Sequence, residues 1–263
     1  MIIDGKQIAE EILARAKTRA AALPHPPRVL AIVASETPAT RSYMKVKARA
    51  AEQAGCVFET RALGADFSGT DAVIIQLPLP AGVSQKETCD LIPIEKDADV
   101  LSSVAREEFR NATVGALLPP IVAAVVEIFK NTKVKPLGKK AVVLGTGFLV
   151  GAPVATWLTQ QGADVTVLNS KSADLSAALR AADIVVSGAG SPHLIKPDML
   201  KQGVVLIDAG TSESSGEIVG DADPACAPKC SLFTPVPGGL GPIAVACLFG
   251  NAVTLAEENS TQC

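Results

Sequence analysis

Aromatic side chains are scarce in this chain of 263 residues, of which Phe, Trp and Tyr make up only 3%. This scarcity disfavours an aromatic-rich β-sandwich and an RNA-binding sheet, because such a sheet stacks bases on exposed rings. Hydrophobic residues nevertheless account for 48% of the chain, which excludes general disorder. Most of them are Ala, Val, Leu and Ile, a composition typical of buried parallel strands covered by Ala-rich helices.

An excess of charge of one sign is also lacking, since 24 Lys and Arg face 27 Asp and Glu, for a formal net charge of −3. Without a basic block, neither nucleic acid nor an anionic membrane is expected as a partner. The uncharged stretch 141–158 is close to the shortest length that can span a bilayer. Because it contains three glycines and a proline, we interpret it as a buried strand, a turn and a helix start, and expect no membrane span.

Residues that bind metals are few and scattered. The sequence has two histidines and six cysteines, and its one close cysteine pair, Cys226 and Cys230, has no second pair or nearby histidine to complete a zinc site. No metal site is therefore expected. Asp4 and Lys6 interrupt the apolar N-terminus, so we expect no secretion signal and a cytoplasmic chain with reduced thiols.

The first part of the chain is predicted to alternate helices with strands. Apolar residues recur at helical spacing over 5–22, and the Lys-, Arg- and Ala-rich stretch 41–54 predicts a second helix. Three runs of apolar or alternating residues, bounded by Pro, Gly or polar residues, predict strands over 29–33, 57–63 and 72–76. A parallel sheet is the expected arrangement.

The second part repeats strand and helix more regularly. Strands are predicted over 139–144, 164–168, 184–186 and 204–207. Helices are predicted over 121–129, from the glycine turn 145–151 to 161, and over 175–182, 199–201 and 243–258. This alternation indicates a doubly wound, Rossmann-like sheet. The predicted fold class is therefore α/β with two domains, the last helix returning to the first domain.

A glycine turn joins the strand 139–144 to the helix that follows it. Glycines at such a turn let the backbone approach a pyrophosphate, which the helix N-terminus also attracts. The glycines Gly145, Gly147 and Gly151 have the spacing G-x-G-x-x-x-G rather than G-x-G-x-x-G. The turn therefore predicts a dinucleotide site, with packing of helix on sheet as the alternative.

The next strand ends in Leu168-Asn169-Ser170-Lys171, where an acidic residue would normally bind a ribose diol. No carboxylate is present here to repel a 2′-phosphate, and Ser170 and Lys171 could contact one. Asn169 could equally bond a ribose hydroxyl. The pattern favours NADP, with NAD as the alternative.

Tyr43 and Lys47 lie four residues apart on a predicted helix, so they share one face. A lysine beside a phenol in a pocket can have a lowered pKa and act as an acid or base; a solvated helix face is the alternative. Gln76 ends a buried strand at the carboxyl edge, where α/β proteins bind ligands. Its amide could bond both a lysine and a ligand carbonyl, although an ordinary strand-ending amide is common.

Taken together, the motifs resemble the bifunctional methylenetetrahydrofolate dehydrogenase/methenyltetrahydrofolate cyclohydrolase family, of the FolD type. The similarity runs nearly end to end through Asp4-Gly5-Lys6, Pro38-Ala39 with Ser42-Tyr43-x-x-x-Lys47, Gln76-Leu77-Pro78-Leu79-Pro80, Lys96-Asp97-Ala98-Asp99, Gly145 with Val150-Gly151-x-Pro153, and 234-TPVPGGLGP-242.

The resemblance implies a folate domain formed by 1–118 and 243–263, a nicotinamide domain formed by 119–242, a cleft between them, and a homodimer. By the same resemblance Lys47 is the general acid/base, Tyr43 stacks on the folate, Gln76 tunes Lys47 and Asp99 binds the pterin. The implied substrate-binding residues are Tyr43, Gln76, Leu77, Pro78, Asp99, Pro237, Gly238 and Gly239. The implied cofactor-binding residues are Gly145, Thr146, Gly147, Val150, Gly151, Asn169, Ser170, Lys171 and Thr211.

The chain departs from the family pattern at the cofactor turn and at the folate lip. The turn reads Gly145-Thr146-Gly147 where the family has Gly-Arg-Ser, and the missing arginine is one that the family uses for the 2′-phosphate of NADP. Asp99 is followed by Val-Leu-Ser-Ser rather than Gly-Phe-His-Pro. The leading expectation is a bifunctional enzyme. The alternatives are a protein with cyclohydrolase activity only, an NAD-specific dehydrogenase, and a non-catalytic folate- or nucleotide-binding homologue.

Overall fold

The computed structural model describes residues 1–169, 171–214 and 217–261. They divide into two compact units, which we name by their main sheets. The three-strand unit contains Ala9–Pro120 and Val245–Cys263, and the five-strand unit contains Met1–Ile8 and Ile121–Ala244. Both units mix helices with parallel sheets, which confirms the predicted α/β class.

The helices and strands are numbered in chain order. The helices are α1 (Gly5–Ala20), α2 (Pro38–Ala54), α3 (Gln85–Cys89), α4 (Ser103–Arg110), α5 (Pro120–Thr132), α6 (Gly151–Gln160), α7 (Leu175–Ala181) and α8 (Leu240–Thr261). The strands are β1 (Arg28–Val33), β2 (Val57–Ala62), β3 (Ala72–Gln76), β4 (Lys140–Leu144), β5 (Asp164–Leu168), β6 (Ile184–Ser187), β7 (Val204–Asp208), β8 (Ser212–Ser214), β9 (Glu217–Val219) and β10 (Cys230–Phe233).

The sheet of the three-strand unit is parallel, in the order β2-β1-β3. Its apolar strands β1 and β3 are almost entirely buried, whereas β2 forms a largely exposed edge. Helix α8 supplies part of the core, since the rings of Phe249 and Phe58 meet edge to face with centroids 6.0 Å apart. The prediction that the last helix returns to the first domain is confirmed.

The sheet of the five-strand unit is also parallel, in the order β10-β7-β6-β4-β5. From β4 the chain moves outward to β5 and then returns to the other side of β4 to form β6. The carboxyl ends of β4 and β6 therefore flank a topological switch point, where open α/β sheets bind their ligands. The predicted Rossmann-like arrangement is confirmed.

Some helices begin or end at residues other than those predicted, because capping side chains and prolines, rather than the apolar period, fix the helix ends. Helix α2 begins three residues earlier than predicted because Thr37 Oγ1 accepts the Thr40 N–H at 3.0 Å, and Pro38 occupies the first turn. The predicted helix 199–201 is wrong: a 3₁₀ turn over Pro197–Met199 ends before Leu200, which is extended. Proline at the first position starts such a turn without needing an N–H donor.

Several short elements carry no apolar period and were not predicted. They are α3, α4, the antiparallel pair β8 and β9, and β10. Helix α4 buries only Ala105 and Phe109, and Ser102 caps it by accepting the Ala105 N–H at 3.3 Å. An element with two buried residues gives little periodic signal.

Helix α8 is the part of the described chain that is long and apolar enough to cross a membrane by length and composition, over Leu240–Ser260. More than half of its most apolar window, 56%, is buried inside the protein, as in the core helix of a folded domain. The uncharged stretch 141–158, which was also considered as a membrane span, forms most of β4, the glycine turn and most of α6, as predicted.

Candidate active site

Lys47 and Gln76 meet at the carboxyl end of the three-strand sheet. Helix α2 carries Lys47, whose Nζ donates to Gln76 Oε1 at 2.9 Å. Gln76 is the last residue of β3, and its Nε2 donates to the Leu77 carbonyl at 2.7 Å. Because that second bond fixes the amide, its oxygen faces the lysine. The sequence predicted both residues for one site, and the structure brings them into direct contact.

Burial acts strongly on the Lys47 amine. Removal from water lowers its pKa below the ordinary value of 10.5, while the charge of Asp99 acts in the opposite direction. Tyr43 lies one turn earlier on α2 and remains 46% exposed. An amine with a lowered pKa is better suited to accept and return a proton than an ordinary lysine, and an exposed phenol ring beside it can stack on a planar ligand.

Asp99 reaches this edge because its segment runs beside β3. Asp97 forms a parallel bridge with Val73, so the chain two residues later lies next to the end of the strand. The buried Asp97 carboxylate accepts the N–H groups of Leu101 at 2.9 Å and Ser102 at 2.7 Å, which closes the turn around Asp99. Burial raises the pKa of Asp99, Lys47 counteracts this rise, and Asp97 adds to it.

Two residues at this site escaped the sequence analysis. Asn251 on α8 donates its Nδ2 to the Ala98 carbonyl at 2.9 Å and the Leu118 carbonyl at 3.0 Å, and so holds the Asp99 segment in place. Arg106 on α4 lies close enough to lower the pKa of Asp99. Neither residue carries a sequence signal, because Asn251 bonds to carbonyls 133 or more residues away and Arg106 lies on an unpredicted helix.

The remaining predicted substrate residues fall in two places. Leu77 and Pro78 follow Gln76 directly, and the peptide bond between them is cis. Pro237, Gly238 and Gly239 belong to the five-strand unit, where the Gly239 N–H donates to the Pro235 carbonyl at 2.8 Å. That they line the same pocket as Lys47 stays a prediction.

The glycine turn of the five-strand unit is tightly packed on one side and open on the other. Gly145 has φ +99°, and a Cβ there would lie 2.5 Å from the Gly188 carbonyl oxygen. A Cβ on Gly151 would collide with the Gly145 carbonyl, whereas one on Gly147 would meet no described atom within 4 Å. The backbone at Gly147 is thus accessible next to the start of α6, an arrangement that fits a pyrophosphate.

The residues predicted to bind the rest of the cofactor lie at the same sheet edge. Asn169 follows β5, and its Oδ1 accepts the Lys171 N–H at 2.9 Å. Thr146, Asn169, Lys171 and Thr211 are exposed, and Val150 is half-buried at the start of α6. Ser170 lies outside the described residues. The exposed amide and ammonium after β5 fit a ribose or its phosphate, and their roles stay predictions.

The five cysteines that the structure describes lie largely inside the protein. Cys56, Cys89, Cys226 and Cys247 are buried and Cys230 is half-buried, as expected for small core or loop residues. Burial raises the pKa of Cys56 to about 12 and that of Cys230 to about 11, so these thiols stay protonated at neutral pH.

Comparison with known proteins shows that the chain is similar to enzymes that act on tetrahydrofolate. Residues 119–260 match the family model described as tetrahydrofolate dehydrogenase/cyclohydrolase, NAD(P)-binding domain. The chain is 34% identical to the bifunctional protein FolD of Moorella thermoacetica over 98% of this chain and 99% of that protein.

Solved structures show the same similarity. The bifunctional FolD of Campylobacter jejuni superposes with a TM-score of 0.93 at 30% identity, covering 98% of this chain and 99% of that one. The FolD of Trypanosoma brucei, solved with NADP and an inhibitor, superposes with a TM-score of 0.91 at 29% identity, covering 98% of both chains.

Proposed function

Because this chain belongs to the tetrahydrofolate dehydrogenase/cyclohydrolase family, we propose that it oxidises 5,10-methylenetetrahydrofolate to 5,10-methenyltetrahydrofolate with NAD(P)⁺ and hydrolyses the product to 10-formyltetrahydrofolate. The observation that carries the proposal is the contact of Lys47 with Gln76 at 2.9 Å in a buried setting that lowers the lysine pKa. Desolvation of an amine costs stability, and lysines with a lowered pKa beside a cleft-edge amide are typical of acid/base sites.

In the hydrolytic step, Lys47 moves the protons. The methenyl carbon carries a positive charge shared by two nitrogens, so it is already an electrophile and water can attack it directly. Lys47 accepts a proton from the attacking water and returns one to the leaving nitrogen as the carbon–nitrogen bond breaks, and the net reaction releases one proton. Gln76 Oε1 holds the amine in position between the two transfers, and Asp99 and Tyr43 hold the pterin.

In the oxidative step, the chain contributes positioning rather than acid/base chemistry. When bound, the nicotinamide cofactor supplies the hydride acceptor. Gly147 would admit its pyrophosphate to the backbone at the start of α6, Gly145 and Gly151 shape the turn that allows this, and Asn169 and Lys171 would hold its adenosine ribose. We propose NADP as the cofactor on the strength of Lys171, with NAD as the alternative because Thr146 replaces the family's arginine.

Absorbance of reduced cofactor, after the protein is mixed with 5,10-methylenetetrahydrofolate and either NADP or NAD, tests the proposal. Reduced cofactor with NADP alone supports the proposed dehydrogenase with NADP as its cofactor. Reduced cofactor with NAD alone indicates an NAD-specific dehydrogenase, as the replacement of the family's arginine by Thr146 would explain. Silence with both cofactors, together with active hydrolysis of the methenyl substrate, would leave a cyclohydrolase. Loss of both activities would favour the non-catalytic alternative.

We further propose that 1–118 with 243–263 carry the folate chemistry, that 119–242 carry the cofactor, and that the protein works as a cytoplasmic homodimer without nucleic acid or membrane partners. The family resemblance supports the dimer and the domain roles, and the net charge of −3 without a basic block supports the absence of nucleic-acid and membrane partners. Light scattering on the eluting protein tests the dimer, because a monomer mass of 27.0 kDa would contradict it.

A further inference from the structure

Two buried carboxylates lie at the carboxyl edge of the five-strand sheet and have no part in the reaction proposed above. Asp208 ends β7 and is 1% exposed, and Asp221 follows β9 and is 0% exposed. Burying a carboxylate is costly unless its oxygens accept hydrogen bonds. Their partners therefore show what the two residues hold in place.

Asp221 binds the loop that follows β6, which we name the 187–191 loop. Its Oδ2 accepts the Ser187 hydroxyl at 2.6 Å and the Ala189 N–H at 2.7 Å, and its Oδ1 accepts the Ser191 N–H at 2.7 Å. Three bonds to alternate residues of one loop fix its path. Asp221 is 30 residues or more from this loop in sequence, so the contact is tertiary.

Asp208 in turn holds the backbone around Asp221. Its Oδ1 accepts the N–H groups of Gly210 at 2.9 Å and Asp221 at 3.2 Å, and its Oδ2 accepts the Ala222 N–H at 2.8 Å. A Cβ on Gly210 would collide with the Asp221 carboxylate, and one on Gly220 with that of Asp208. The two carboxylates are thus packed into sites that only glycine neighbours allow.

The 187–191 loop forms one wall of the switch-point crevice between β4 and β6. The Gly188 N–H donates to the Leu144 carbonyl at 2.8 Å. A Cβ on Gly188 would lie 2.8 Å from the Cβ of Val150, and the Gly188 carbonyl abuts Gly145 from the other side. A shift of this loop would therefore change the width of the crevice beside the glycine turn.

We infer that Asp221 is a positioning residue for binding of the nicotinamide cofactor, because its carboxylate holds the 187–191 loop against the glycine turn. Asp208 in turn holds the backbone of Asp221 in place. The inference rests on the proposed dehydrogenase function. It assigns a role in cofactor binding to a carboxylate that is fully buried behind the loop.

The test compares Asp221→Asn with Asp183→Asn. The first change puts an amide NH₂ against a backbone N–H of the loop, so one bond becomes a clash of donors. Asp183 lies just before the other end of β6, where it accepts the Lys140 N–H at 2.9 Å, and is the matched control. Binding of NADP and of NAD is measured by calorimetry, with methenyl hydrolysis and the melting temperature of each variant alongside.

We expect Asp221→Asn to raise the Kd of the preferred cofactor at least about tenfold, while Asp183→Asn changes it less than about twofold and neither change alters methenyl hydrolysis. A wild-type Kd in Asp221→Asn with a lowered melting temperature would overturn the inference and leave a structural role. If Asp221→Asn does not fold, Ser187→Ala removes one of the three bonds, and an unchanged Kd there would equally overturn it. If the unmodified protein binds neither cofactor, both the role of Asp221 and the proposed dehydrogenase function are refuted.

Discussion

At the Lys47 amine, burial and charge act in opposite directions. Desolvation is the larger effect and lowers the pKa, while the nearby Asp99 carboxylate raises it. A lowered pKa makes the ammonium a stronger acid and allows the amine to accept and return a proton more readily than an exposed lysine does. The Gln76 carbonyl serves both forms, because each retains an N–H to donate.

Asp99→Asn tests this balance. Removing the carboxylate removes the attraction that raises the Lys47 pKa, so the pKa falls further and the ascending limb of kcat for methenyl hydrolysis moves to lower pH. The measurement is the pH dependence of kcat at saturating substrate, where weaker pterin binding does not enter. Glu87→Gln, at an exposed carboxylate of the same unit, should leave the limb in place. A limb that stays put or moves upward in Asp99→Asn would contradict the assignment.

Lys171→Ala tests the choice of cofactor. An ammonium that binds the 2′-phosphate contributes to NADP binding but not to NAD binding, so the KM for NADP should rise about tenfold while that for NAD stays constant. Lys135→Ala removes the same charge from another exposed position of the five-strand unit and should affect neither constant. An equal rise for both cofactors would show that Lys171 binds another part of the nucleotide.

The Asp208 carboxyl makes the free energy of unfolding depend on pH. Burial raises its pKa to about 6 from an ordinary 3.8, so the folded protein binds more protons than the unfolded chain between these values. Its stabilising contribution is complete below pH 3.8 and is lost as pH rises through 6, by on the order of 3 kcal/mol. Unfolding in denaturant should therefore show that Asp208→Asn loses more stability relative to the unmodified protein at pH 4.5 than at pH 7. A difference that is constant with pH would contradict the shifted pKa.

At the scale of elements, the strength of the local signal decided what could be predicted. Strands β3 and β5 match the predicted 72–76 and 164–168 residue for residue, because short apolar or alternating runs between polar and glycine-rich segments leave little choice of boundary. Helix α4 and strand β10 were not predicted because each buries only two residues. Their formation depends on tertiary contacts that a local pattern does not contain.

Asn251→Ala tests how α8 supports the Asp99 segment. The change deprives the carbonyls of Ala98 and Leu118 of their donor, and we expect a loss of about 2 kcal/mol in the free energy of unfolding with a raised KM for folate. Asn259→Ala, which removes a solvent-exposed bond from the same helix to the Glu95 carbonyl, is the control and should cost less than about 0.5 kcal/mol. Equal losses from the two variants would show that Asn251 has no special role.

Over the whole molecule, the candidate catalytic residues could be predicted from the sequence, but the residues that position them could not. Lys47 and Gln76 could be paired in advance because a helix face and a strand end both point to the carboxyl edge of one sheet. The roles of Asn251 and Asp221 could not be predicted, because each residue bonds to a segment 30 or more residues away in sequence. Lys47 lies in the three-strand unit and the glycine turn lies in the five-strand unit. We therefore expect changes at Lys47 to affect mainly hydrolysis and changes at the glycine turn to affect mainly cofactor reduction.

The role of Lys47 is tested most directly by measuring methenyl hydrolysis and cofactor reduction side by side in Lys47→Ala. Lys45→Ala, at an exposed lysine of the same helix, is the control. We predict that Lys47→Ala abolishes hydrolysis and keeps most of the hydride transfer, because that step needs positioning rather than a base, and that Lys45→Ala keeps both. Equal loss of the two activities in Lys47→Ala, or hydrolysis that survives without the amine, would contradict the role assigned to this lysine.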